Sequence, residues 1–157
     1  MNVEIPRLEH QIEIDAPPAK VWELISDVRR MNEWSPQVTS TRLRAGYDTV
    51  ALGTEFTNRN QHQGQEWTTH ATIVRFEPEQ ALAFRVAENG MVWAYELTPL
   101  GDSGTLLTQR REAPEGVSEL AAGFVESHLG GAGTFMPAVA AGGRETLEAL
   151  KAAAEAP

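Results

Sequence analysis

From Val38 to Ala113 the chain passes through six stretches of strand character, and this run narrows most what it can fold into. The stretches are VTSTRLRA (38–45), TEFTNRN (54–60), QEWTTHATIVRF (65–76), ALAFRVA (81–87), MVWAYELT (91–98) and TLLTQRREA (105–113). Strands that pair in parallel need a crossover of a dozen or more residues between them, so links this short make antiparallel neighbours. The links carry turn chemistry: His62-Gln63-Gly64, then Glu77-Pro78-Glu79-Gln80, then Asn89-Gly90, and finally a loop with Gly101 and Gly104. Asn-Gly is the strongest hairpin signal among them, because both positions tolerate positive φ.

One further strand precedes the run. In LEHQIEID (8–15), Leu8, His10, Ile12 and Ile14 alternate with Glu9, Gln11, Glu13 and Asp15, the pattern of a half-buried strand. DAPPAKVWELISDV then opens a helix, with Asp15 or Ala16 as its cap and Pro17 and Pro18 where the first N–H groups lack partners anyway. Val21, Leu24, Ile25 and Val28 form its apolar stripe. RRMNEW reads as a second short helix, stopped by Ser35-Pro36 because proline disfavours helical backbone in the residue before it. Trp34, at that change of direction, reads as core packing, and Asp27 as a helix-end residue.

The C-terminal segment from Ser118 to Glu155 invites one helix. At 1.5 Å per residue it would run about 57 Å, against roughly 40 Å for a compact domain of this length. Gly130, Gly131, Gly133 and Pro137 offer the break. The expectation is a short helix over 117–129 and a longer one starting between Thr134 and Pro137. Met136, Val139, Gly143, Leu147 and Leu150 then share a face. Gly142-Gly143 inside that helix costs about 1 kcal/mol per glycine relative to alanine, which close backbone approach or space left for another molecule would explain.

Composition excludes several classes. A net charge of −9 opposes binding to nucleic acid or an anionic membrane. With no cysteine there is no disulfide, thiolate nucleophile or cysteine-ligated metal. The start carries neither the cationic head nor the apolar core of a signal peptide, and no stretch approaches the roughly 20 apolar residues of a membrane span. The expectation is one cytoplasmic domain over residues 1–157, with no cofactor. His62 and His70 suggest a metal pair only until parity places one in a turn and the other on the outer face. Gly-Gly-Ala-Gly-Thr-Phe follows a helix, not a strand, so it is no phosphate loop.

In IDAPPAKVWELISDVRRMNEWSP, GTEF, WTTHATIVRFEPEQALAFRV, WAYELTPLGDSGTLLTQ and ETLEALKAAAE, in that order, the chain resembles the START-related (SRPBCC) superfamily. That group includes the birch pollen major allergen and the polyketide cyclase/dehydrase and lipid-transport proteins. The resemblance spans essentially the whole chain and implies an α+β helix-grip. A curved antiparallel sheet of about seven strands would wrap a long C-terminal helix, with two short helices after the first strand and an internal cavity. GGAGTFMP departs from the family pattern where the helical part closes that cavity.

Strand parity proposes what lines the cavity. Trp93, Tyr95 and Leu97 share a face; so do Leu82, Phe84 and Val86; Phe56 carries Asn58 and Asn60; Trp67 carries Thr69, Ala71 and Ile73. The last strand admits two sets, Leu106, Thr108 and Arg110 or Leu107, Gln109 and Arg111, and the resemblance selects the second. The ligand-binding candidates are therefore Phe56, Asn58, Trp67, Thr69, Phe84, Trp93, Tyr95, Gln109 and Arg111, with Phe124 and His128 from the first C-terminal helix. Apolar walls with a few polar groups suit a small hydrophobic molecule, lipid-like or polyketide-like. Buried amides such as Asn58 and Gln109 favour a pocket over a filled core, because they need partners. Arg111 would grip a carboxylate or enolate. No two carboxylates share the inward face, which disfavours paired-acid hydrolysis. A polyketide cyclase or dehydratase using Arg111, Tyr95 and His128 is the enzymatic alternative, and a co-chaperone-type interaction module the third.

Overall fold

The computed structural model describes residues 2–157, apart from the side chains of Ala132 and Thr134. Seven strands form one antiparallel sheet: β1 (Leu8–Ile14), β2 (Val38–Leu43), β3 (Glu55–His62), β4 (Gln65–Glu77), β5 (Ala81–Val86), β6 (Val92–Leu100) and β7 (Gly104–Glu112). Their order is β1-β7-β6-β5-β4-β3-β2, so six strands meander and the first returns beside the last. Between β1 and β2 lie α1 (Pro18–Ile25) and a 3₁₀ helix (Val28–Glu33); after β7 come α2 (Glu119–His128) and α3 (Ala132–Glu155). This is the helix-grip expected from the sequence, with the core between the inner face of the sheet and α1 and α3.

Local chemistry accounts for most of the boundaries. Gln63 and Gly64 both take positive φ, +49° and +83°, as a two-residue link between antiparallel strands requires. The Asn89-Gly90 link is wider than a two-residue turn. Only Gly90 is left-handed there, at +71°, while the Asn89 side chain accepts from the Met91 N–H at 2.9 Å. Helix α1 differs from expectation at its start, since Pro17 is the cap and offers no side-chain hydrogen bond. Asp15 instead donates its N–H to Glu155 at 2.8 Å, tying β1 to the C-terminus. Asp27 caps the 3₁₀ helix by accepting from the Arg29 N–H, and Trp34 is buried in the core.

The C-terminal break falls where the glycines are: Gly130 and Gly131 take φ of +81° and +84° between α2 and α3. The start of the long helix needs correction. It begins at Ala132, so Pro137 lies inside it rather than in its first turn. The proline leaves the Gly133 carbonyl without its usual intrahelical donor, and Gly133 has open space beside it. Val139, Gly143, Leu147, Leu150 and Ala154 then form the buried face of α3.

Candidate functional site

The inner face of β7 is the one carrying Leu107, Gln109 and Arg111, which are 0%, 4% and 8% exposed. Around it the apolar side chains divide into two clusters. The larger holds Phe56, Phe84, Tyr95 and the inward residues of α1 and α3; Phe56 and Phe84 meet edge-to-face at 5.3 Å. The smaller, at the α2–α3 junction, is built on Leu129, Phe135 and Val139, with Leu8, Trp67, Trp93, Phe124 and Val125 against them.

The polar candidates find partners within the protein. Asn58 accepts from the Thr41 hydroxyl at 2.6 Å and directs its amide N–H toward the Met31 sulfur at 3.5 Å. Asn60 donates to the Thr69 hydroxyl at 3.0 Å and to the Trp67 carbonyl at 3.3 Å. Gln109 donates to the Tyr95 hydroxyl at 3.0 Å. Asn58, Thr69 and Gln109 thus have partners inside the protein, in a polar seam between strands, so their burial does not by itself require a ligand. Burial pushes the Tyr95 hydroxyl up to about 12, against the opposing effect of its Gln109 hydrogen bond.

Trp67 and Trp93 do share the inner face, both against the smaller cluster. Neither the void at Tyr95 nor the cleft beside α1 includes Trp67, Trp93 or Asn58. Tyr95 instead borders a void of about 10 Å³ with Ile25, Met31, Trp34, Leu82 and Phe84, room for roughly one water. A more open cleft of about 230 Å³ lies where the α1–3₁₀ junction faces the loop before β3, lined by Ser26, Asp27, Arg29, Asp48 and Phe76 among others, and it includes none of the expected residues.

What the fold gathers is Trp67, Trp93, Arg111, Phe124 and His128, beneath and on α2. Trp67 meets Phe124 at 6.0 Å and Phe135 at 6.4 Å, both edge-on. His128 is exposed and stacks on Phe124 at 4.7 Å. The Arg111 guanidinium lies 5.5 Å from the centre of the Trp93 ring. Burial pushes its pKa down to about 10, which still leaves it charged at neutral pH. Helix α2, which roofs this group, buries none of its own residues.

Two participants escaped the sequence reading. His62 ends β3, its ring 5.4 Å from Phe135 and its Nε2 buried without a partner. Phe56, Asn58, Asn60 and His62 have one parity, so extending the strand by two residues would have found it. His10 and Gln109 crowd Gly143, where an added Cβ would lie 2.8 Å from each. Burial, then the Arg144 charge, lowers the His10 pKa. Outside this region, His70 faces outward and pairs with Glu88 at 2.5 Å. Among the described residues no three histidine or acidic side chains gather as a metal ion requires.

A family model described as polyketide cyclase / dehydrase and lipid transport matches residues 6–155. No curated protein matches the sequence closely enough to count as a relative. Among solved structures, the chain is similar to the di-domain ARO/CYC StfQ from the steffimycin biosynthetic pathway, with a TM-score of 0.73 and 16% identity over 95% of this chain. It spans 50% of that larger protein. It is also similar to major latex-like protein 151 from Panax ginseng, at a TM-score of 0.67 and 14% identity over 96% of this chain and 98% of that one. The Aha1 dimer protein of Colwellia psychrerythraea gives 0.62 and 15%, over 96% and 97%. At such identities the likeness carries the fold alone. Among the described residues no helix is long and apolar enough to cross a membrane.

Proposed function

The chain belongs to the polyketide cyclase / dehydrase and lipid transport family, and on that premise we propose that it binds a small, largely apolar molecule between the sheet and the α2–α3 junction. The observation that carries this reading is the roof. Helix α2 covers Trp67 through Phe124, yet none of its ten residues is buried. An element held only by partly buried contacts, here Ala121, Ala122, Phe124 and Val125, opens at lower free energy than one anchored by buried residues. Left-handed glycines flank it on both sides, Gly116 at +72° and Gly130–Gly131 at +81° and +84°. A ligand enters by displacing Phe124 and Val125 from the smaller cluster, replacing their contacts with its own.

Catalysis has less support than binding. Tyr95, held near 12, stays protonated at neutral pH and serves as a hydrogen-bonding group rather than a base. The co-chaperone alternative also has little support. The exposed large apolar residues (Val3, Tyr47, Leu52, Val74, Leu100 and Leu120) are distributed over the N-terminal segment, the loop before β3, β4, β6 and α2, where an interaction patch would be contiguous. Native mass spectrometry of the purified protein, followed by tryptophan fluorescence with apolar probes, tests the proposal. A co-purifying apolar molecule, or saturable quenching that Trp67→Phe diminishes, supports it. Quenching absent with every apolar probe, together with a ligand-free mass, overturns it.

A further inference from the structure

Arg110 and Arg111 are neighbours on β7 with opposite surroundings. Arg110, on the outer face, pairs with Glu96 and lies 3.5 Å from Glu9. Arg111, on the inner face, is 8% exposed. Among the described residues it forms no ion pair, and no carboxylate opposes the effect of its burial. Its Nη1 directs a hydrogen toward the Met136 sulfur at 3.6 Å, and its Nε is buried without a partner. A thioether is a weak acceptor, and the Trp93 face offers only the attraction of a ring quadrupole. A buried cation without an anion is the costly half of a broken ion pair. Neither the fold nor the seam of amides uses Arg111 to satisfy another group.

We infer that Arg111 is the head-group subsite of the site beneath α2, and that the ligand is a monocarboxylic acid with an apolar body. This rests on the preceding reading of that space as a binding site. Across the sheet the register pairs Arg111 with Trp93 on β6 and with Leu8 on β1. Both flank the cluster of Leu129, Phe135 and Val139, so hydrocarbon attached to a carboxylate at Arg111 continues directly into the aromatic wall. Met136, the present occupant, is flexible enough to withdraw. The planar guanidinium offers a carboxylate two parallel charge-assisted bonds. One cation matches one anionic charge; a phosphate dianion would bring a second, unpaired charge into the same dry space. The net charge of −9 gives no attraction from a distance, so selection for the acid is local to Arg111.

The test measures quenching of tryptophan fluorescence by four probes: 2-naphthoic acid, dodecanoic acid and the methyl ester of each, with dodecyl phosphate as a fifth. In the wild-type chain each acid should bind about ten- to a hundredfold more tightly than its ester, the effect of one charge-assisted pair. Dodecyl phosphate should bind less tightly than dodecanoic acid. Arg111→Met should abolish the preference for the acid while leaving ester affinity within a factor of about three. That variant should fold, because apolar replacement of a buried unpaired charge is neutral or stabilising; the wild-type comparison stands without it. Equal binding of acid and ester by the wild type overturns the assignment of Arg111 and leaves the apolar site intact. Tighter binding of the phosphate overturns the monocarboxylate. Failure of every probe overturns the apolar site itself and the head-group subsite with it.

Discussion

Gly142 and Gly143 are consecutive in α3, and the structure assigns opposite signs to replacing each with alanine. In both cases the helix gains: alanine is favoured over glycine by about 0.8–1.0 kcal/mol in a helix interior. At Gly142 the new Cβ would meet only the Pro36 ring at 3.5 Å, an ordinary contact. Gly142→Ala should therefore stabilise by about 0.5–1 kcal/mol, raising the melting midpoint by roughly 1–4 °C for a chain of this size. At Gly143 the Cβ would lie 2.8 Å from Gln109 Oε1 and 2.8 Å from His10 Cδ2. The Gln109 amide is held by its bond to Tyr95, and the imidazole has the α3 backbone against it. Overpacking costs about 1–3 kcal/mol, and loss of the Gln109–Tyr95 bond about 0.5–1.5 kcal/mol more. After the helix gain, Gly143→Ala should destabilise by about 0.5–3.5 kcal/mol. The assay is urea denaturation of both variants beside the wild type, with constant slope confirming that stability alone has changed. His10→Ala should accept Gly143→Ala at less cost than the wild type does, since it removes one colliding ring. Equal stabilisation by both glycine replacements would refute the close approach of α3 to β1 and β7.

Three further outcomes follow from the same geometry. Of the two tyrosines, Tyr95 should ionise only near pH 12, pushed up by burial, and absorbance at 295 nm should show that late step disappearing in Tyr95→Phe. Because its folded pKa lies above the ordinary 10, its contribution is complete below pH 10 and is lost between pH 10 and about 12; Tyr95→Phe should flatten that fall, worth roughly 2–3 kcal/mol. Asn60→Leu should cost about 1–3 kcal/mol in chemical denaturation by removing the donor to Thr69 and the Trp67 carbonyl. Amide hydrogen exchange over Glu119–His128 should be faster than over Leu147–Leu150, since α2 residues are at most partly buried whereas both those leucines are almost wholly buried.

Strand parity and link length carried the sheet into view from the sequence because both are local. A period of two fixes the facing of Trp93, Tyr95 and Leu97 once any one of them is known to be buried. The C-terminal break was legible for a similar reason, as paired glycines and a length limit act on a single segment. Pro137 was misplaced because a proline's cost is weighed against tertiary contacts that the sequence does not display, here Phe135 and Val139 seated in the smaller cluster. The site itself was half legible. Facing assigned Trp67 and Trp93 to the inner surface and the family resemblance selected the face of Arg111, but neither says who satisfies a polar group once there. Asn58 and Gln109 were read as seeking a ligand, yet Thr41 and Tyr95 meet them across the strands. Arg111 differs for a physical reason: an amide is satisfied by any neighbouring hydroxyl or carbonyl, whereas a guanidinium in a dry space is balanced only by an anion. Since Glu9 and Glu96 both lie on the outer face with Arg110, the inner face keeps a charge that its own side chains do not answer. That asymmetry between adjacent arginines is the observation on which the proposed acid-binding subsite rests.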